Sequence, residues 1–158
     1  MMMPADGDDL AAAARIVDMG YPTVAPVLRD MMKWMRVANS PVADTFAGFF
    51  ARLGEPALAA IAEGLRRDNS WLKHRIFTVI LPKWSPNVVA QLRGVLAVTA
   101  THPDAYDNDV RSVALLVKLH LADGDWLKSW VDFKRKRWGV RDELLKQVEK
   151  QLGVDKME

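Results

Sequence analysis

Between Asn39 and Val95 the chain states nearly the same pattern twice, at an offset of thirty residues. Asn39-Ser40 returns as Asn69-Ser70, Phe46 and Phe50 as Ile76 and Ile80, Pro56 as Pro86, and Gly64 as Gly94. Upstream, Gly20-Tyr21-Pro22 matches Gly54-Glu55-Pro56 at an offset of thirty-four, and Ile16 with Met19 falls opposite Phe50 with Leu53. A period of this size describes helical hairpins that cannot bury their apolar faces alone and must stack on their neighbours. The expected fold is therefore all-α: a right-handed α-α superhelix, or solenoid, of about four helical hairpins with eight or nine helices. Residues 7–100 supply three hairpin repeats, and residues 101–158 supply C-terminal helices that either extend or cap them, all within one domain.

Helix boundaries follow from caps and breakers. Asp8 or Asp9 caps a first helix through Leu10, Ala14, Val17 and Met19, which Gly20 ends. Pro22 opens a second helix over residues 22–35, with Val24, Val27, Leu28, Met31, Met32 and Met35 at helical spacing. Ser40 caps a third with Pro41 at its first position, carrying Val42, Phe46, Phe49, Phe50 and Leu53. A fourth covers 56–67. Asn69 or Ser70 caps a fifth that is apolar nearly all round, which predicts the most enclosed helix of the stack, ended by Pro82 near Leu81. A sixth runs over 86–100. After the irregular stretch 101–106, a seventh starts at Asp107 to Asp109 and an eighth at Asp125. A last one spans Val140 to Leu152, with Leu144, Leu145 and Val148 facing inward. Nothing alternates with a period of two, so no strands are expected.

Composition narrows the function classes. The chain has 158 residues, 50% of them hydrophobic and 27% charged, which is enough apolar surface for a real core. Cysteine is absent, so disulfides, thiolate metal sites and cysteine nucleophiles are excluded. A formal charge of only +2 does not imply a nucleic-acid binder. No apolar run reaches the ~18 residues of a membrane span and no leader pattern opens the sequence, so a cytoplasmic location is expected.

No catalytic constellation emerges. His74, His102 and His120 lie far apart and make no paired zinc ligands, and the Asp104, Asp107 and Asp109 group lacks the spacing of a calcium loop and suits helix capping. No metal, no cofactor and no enzymatic activity are expected. Six tryptophans are distributed unevenly. Trp34, Trp71 and Trp84 stand near helix ends beside Lys33, Lys73 and Lys83, an amphipathic setting that suits either gap filling between hairpins or anchoring a partner. The second helices of the hairpins, over 22–35, 56–67 and 86–100, line the expected concave surface. Arg29, Lys33, Glu63, Arg67, Gln91 and Arg93 point outward there, joined at the rim by Trp34, Trp71, Lys73 and Trp84. A separate basic run, Lys134, Arg135, Lys136 and Arg137 followed by Trp138, offers cations and a ring to a phosphate backbone and a stacked base. Four consecutive bases on a helix nevertheless point in four directions, and positive charge is favoured near a carboxyl end.

Gly20-Tyr21-Pro22, Pro26-Val27-Leu28, Asn39-Ser40-Pro41-Val42, Gly54-Glu55-Pro56 and Trp71-Leu72-Lys73 together resemble a bacterial family of short HEAT-like helical domains catalogued only as a domain of unknown function. The resemblance covers about Asp8 to Val98. It implies a HEAT-like solenoid and no catalytic residues, since the motifs are turn and packing positions. Small domains of this kind are similar to immunity proteins that plug the active site of a secreted bacterial toxin. The leading expectation is thus a non-catalytic module that binds another protein, in its sharpest form a toxin-neutralising immunity protein. The alternative is a nucleic-acid-binding solenoid that uses the 134–138 segment.

Overall fold

Asp9 starts the first helix. In the computed structural model, which describes residues 2–137 together with 146, 148 and 150, its Oδ1 accepts from the Ala12 amide at 3.3 Å and its Oδ2 from the Ala5 amide at 2.9 Å. Those backbone donors, Ala5 first, hold the Asp9 carboxyl below its ordinary pKa. The helix α1 (Leu10–Met19) ends at Gly20, whose φ of 66° is the left-handed conformation that glycine tolerates. Its buried face is Ala12, Ala13 and Ile16. The expected stripe through Leu10 and Met19 is corrected, for both are about half exposed. A run of four alanines makes every rotation of this helix look apolar, and α1 meets the phenylalanine-bearing α3 with small side chains.

The second helix also departs from expectation. Tyr21-Pro22 is a cis peptide, the chain turns, and a 3₁₀ segment at Ala25–Val27 precedes α2 (Leu28–Trp34). Pro26 lacks the amide hydrogen that a continuous helix from 22 would need for the Pro22 carbonyl, and regular α-helix waits until Leu28. Helix α2 buries Leu28, Met31 and Met32. Ser40 then caps α3 (Pro41–Leu53) as expected: its Oγ accepts from the Ala43 amide at 3.2 Å and donates to the Gly7 carbonyl at 3.0 Å. Such a cap stabilises by about 1 kcal/mol, and this one also ties down the chain ahead of α1.

Helix α3 holds the centre of the first unit. Val42, Ala43, Phe46, Ala47, Phe49, Phe50 and Ala51 are all buried, and α3 packs on α1, on α2 and on the segment 76–80. Burial of each phenylalanine contributes about 1.5–3 kcal/mol. A 3₁₀ turn at Glu55–Ala57 leads into α4 (Leu58–Arg66), which lies against α2 and α5 and buries Ala60, Ile61, Gly64 and Leu65.

Asn69 caps α5 (Ser70–Arg75) through its Oδ1, which accepts from the Leu72 amide at 2.8 Å. The chain then widens into a π-helical segment at Ile76–Ile80, with the Leu81 amide donating to Ile76, and tightens into a 3₁₀ turn at Leu81–Lys83. Pro82 has no hydrogen to give the Thr78 carbonyl, and π turns accommodate such interruptions. Leu72, Ile76 and Ile80 point into the core while Val79 is 40% exposed, so this stretch is enclosed on most of its circumference but not all of it. The expected sixth helix is divided into α6 (Pro86–Ala90) and α7 (Arg93–Thr99) by turns at Gln91 and Leu92, next to the poor helix former Gly94.

Two compact units comprise residues 1–95 and 96–158. In the second, α8 (Asn108–Lys118) and α9 (Gly124–Arg137) carry a core of Ala100, Val110, Val113, Leu127, Trp130, Val131 and Val148. The Trp130 indole donates to the Ala100 carbonyl at 2.7 Å and the Ser112 hydroxyl to Leu96 at 2.6 Å. Asp104 supplies the cap at α8: its carboxylate accepts from the Tyr106 and Asn108 amides and from the Asn108 side chain. Val148 is buried, whereas Leu144 and Leu145 of the expected last helix lie outside the described residues. The chain is all-helical, with no strand among the described residues. No described helix is long and apolar enough to cross a membrane.

Candidate functional site

Helices α2 and α4 lie side by side in the first unit. Each puts its apolar arc into the core, which leaves Arg29, Lys33 and Arg36 on one outer face and Glu63 and Arg67 on the other. Glu63 joins the two. Its Oε2 lies 3.0 Å from Arg29 Nε and its Oε1 3.1 Å from Arg67 Nη2, so each carboxylate oxygen holds a guanidinium from a different direction. Lys33 pairs at 3.3 Å with Asp30 of its own helix.

Between the helices is an open cleft of about 210 Å³, lined by Arg29, Met32, Arg36, Ala60, Glu63 and Arg67. Met32 and Ala60 are buried and form its apolar floor. Three arginines against one glutamate leave the lining two positive charges in excess. The Arg36 Nε is buried and makes no hydrogen bond. Of the residues expected to point outward, the fold thus brings together Arg29, Glu63 and Arg67, and it adds Arg36. Arg29, Lys33 and Arg36 recur at i, i+4 and i+7, a helical stripe that a search for basic spacing would have found.

The other expected binding residues fare differently. Trp34 and Trp71 are half-buried, and Gln91 and Arg93 are exposed without lining the cleft. Trp71 lies 5.5 Å from the His74 ring and takes the Arg75 guanidinium over its face. Trp84 is corrected from rim anchor to core: it is 6% exposed and its indole donates to the Phe50 carbonyl at 3.0 Å. Lys73 is likewise buried, because α5 is covered on the flank that carries it.

The basic run loses its first member. Lys134 is buried and bonds Asp109 at 2.6 Å, since helical geometry turns this one of four consecutive bases toward α8. Burial raises the pKa of Asp109 even against the hydrogen bond and charge of Lys134. Arg135 and Lys136 are exposed, while the Arg137 side chain and Trp138 fall outside the described residues. Among the described residues no group of three or more His, Cys, Asp or Glu side chains could hold a metal ion.

The family model described as Domain of unknown function (DUF5071) matches residues 2–118. The chain belongs to that family. The matched span includes the whole cleft and closes at Lys118, the last residue of α8, so α9 and its basic run lie beyond the family's pattern. It extends the Asp8 to Val98 resemblance at both ends. No curated protein and no solved structure matches the chain.

Proposed function

We propose that this DUF5071 chain is a non-catalytic protein-binding module, and that it acts in the cytoplasm as an immunity protein that binds and neutralises a cognate bacterial toxin. The observation that carries the reading is the α2–α4 cleft: Arg29 and Arg36 from one hairpin and Glu63 and Arg67 from the next stand around a methionine floor. Stacked hairpins form a continuous surface from parts distant in sequence, the usual way helical repeats grip a partner. An arginine-rich rim around an apolar, adaptable floor is the composition of an interface hot spot.

Co-expression with the product of the adjacent gene tests this directly. A toxin antagonist restores growth of the host cell and forms a stoichiometric complex that survives high salt. Failure to protect and failure to co-purify at any ionic strength would refute it. Arg135 and Lys136 are the exposed bases left to the rival reading, a nucleic-acid binder. That reading requires binding that collapses as salt rises and is lost when both become glutamine.

A further inference from the structure

We infer that the α2–α4 cleft is a carboxylate-reading subsite in which Glu63 holds the place of an acidic side chain of the partner protein. On binding, an Asp- or Glu-bearing segment takes over the Arg29 and Arg67 guanidiniums from Glu63, drawn also by the charge of Arg36. The inference rests on the protein-binding reading of the same face and names the chemistry that the face recognises.

Charge comes first. The cleft lining carries Arg29, Arg36 and Arg67 against Glu63 alone, and the adjacent Lys33 is already matched by Asp30. An excess of two positive charges in a concave site attracts an anion and speeds its arrival. Geometry comes next. Arg29 uses only its Nε and Arg67 only one Nη on Glu63, although a guanidinium offers five donors in a fork that matches a carboxylate bidentately. Arg36 Nε is buried and has no hydrogen bond, a state that costs free energy, and the rest of this guanidinium adds its charge to the lining.

The Glu63 pairs are also easily exchanged. The side chains of Arg29 and Arg67 are 79% and 42% exposed, and ion pairs this wet contribute little to the fold. They nevertheless show what these arginines hold: a carboxylate, one oxygen to each, at 3.0 and 3.1 Å.

The test uses the full chain and an acetylated, amidated hexaglutamate peptide, with inorganic phosphate in a parallel titration at the same ionic strength. Calorimetry gives affinity, and the arginine Nε–Hε resonances locate the site. The peptide is expected to shift Arg29, Arg36 and Arg67. Glu63→Gln removes the internal competitor and tightens binding about fivefold, the scale of two exposed ion pairs. Arg36→Gln and Arg67→Gln each weaken it by a similar factor, with melting curves checking that all three variants fold.

Unchanged or weaker binding by Glu63→Gln overturns the inference, as does tighter binding of phosphate than of peptide. The two readings fail separately. A protein partner captured equally by wild type and by the Arg36→Gln, Arg67→Gln double variant leaves the binding module standing and removes the carboxylate subsite. Peptide binding with the expected Glu63→Gln gain, in a chain that forms no complex with any protein, does the reverse.

Discussion

Replacing Arg75 should unfold the first unit more readily than any surface change. Its guanidinium is 6% exposed. Nη1 donates to the Met35 carbonyl at 3.0 Å and to the Val37 carbonyl at 3.1 Å, and Nη2 reaches Asp44 at 3.2 Å. One side chain of α5 therefore ties the α2–α3 connection to α3. Burial lowers the arginine's pKa while Asp44 works the other way. Each charge-assisted bond to these carbonyls, the Met35 one buried and the Val37 one part-buried, is worth about 1.5 kcal/mol net. The Asp44 side chain is 72% exposed, so that pair adds well under ~1 kcal/mol. Arg75→Met keeps most of the stem's packing and should cost about 3 kcal/mol, chiefly from the two carbonyl bonds. Arg75→Lys should recover only part, because one ammonium cannot fork to two carbonyls and a carboxylate. Asp44→Ala should cost less than ~1 kcal/mol. Urea unfolding followed by tryptophan fluorescence, with midpoint and slope fitted for each variant, measures all three. If Arg75→Met stays within ~0.5 kcal/mol of wild type, or if Asp44→Ala costs as much, the clamp is misread.

Two further perturbations follow from the second unit and from the repeat. Asp109 has a raised pKa in the fold, so its contribution to stability is full below the ordinary carboxylate range and is lost as pH rises through the folded value. Asp109→Asn takes the anion from a Lys134 side chain that is only 8% exposed and should cost about 3 kcal/mol at pH 7. Lys134→Met leaves the carboxylate buried without its cation and should cost about 3 kcal/mol at pH 7, a cost that shrinks as acid protonates Asp109. An Asp109→Asn cost below ~1 kcal/mol at pH 7, or a Lys134→Met penalty that grows in acid, would contradict this, with denaturant titrations between pH 4 and 7 as the measurement. A Cβ on Gly64 would come within 3.1 Å of Met32 Sδ and 3.2 Å of Ile76 Cδ1, whereas one on Gly94 meets nothing within 4 Å. Gly94→Ala should stabilise by up to about 1 kcal/mol and Gly64→Ala should destabilise by about as much, so thermal melts should move in opposite directions.

Much of the fold was legible because local chemistry sets it. The Asp9, Ser40 and Asn69 caps act as their sequence positions predict, since a side-chain oxygen ahead of a helix meets an amide a few residues on whatever the rest of the chain does. The repeat marked α3 and the helix that opens at α5 as core elements, and Phe46, Phe50, Ile76 and Ile80 are fully buried. Of the site, the outward direction of Arg29, Glu63 and Arg67 was legible from helical period. Rotation was not legible where composition was uniform, as in α1. Nor was the π segment before Pro82, where a continuous apolar run reads the same with or without an added residue.

The sequence by itself determined an all-helical chain, its caps and breakers, and the hydrophobic period of its helices, because those depend on neighbours a few bonds away. Tertiary structure decided which charges reach the surface. Lys73 and Lys134 are buried while Lys33 and Lys136 stay in solvent. Trp84 spends its indole hydrogen on Phe50, and Arg36 joins a cleft whose far wall comes from α4. Exposure, pairing and convergence depend on what another helix brings within a few ångströms, and no spacing along one helix contains that information.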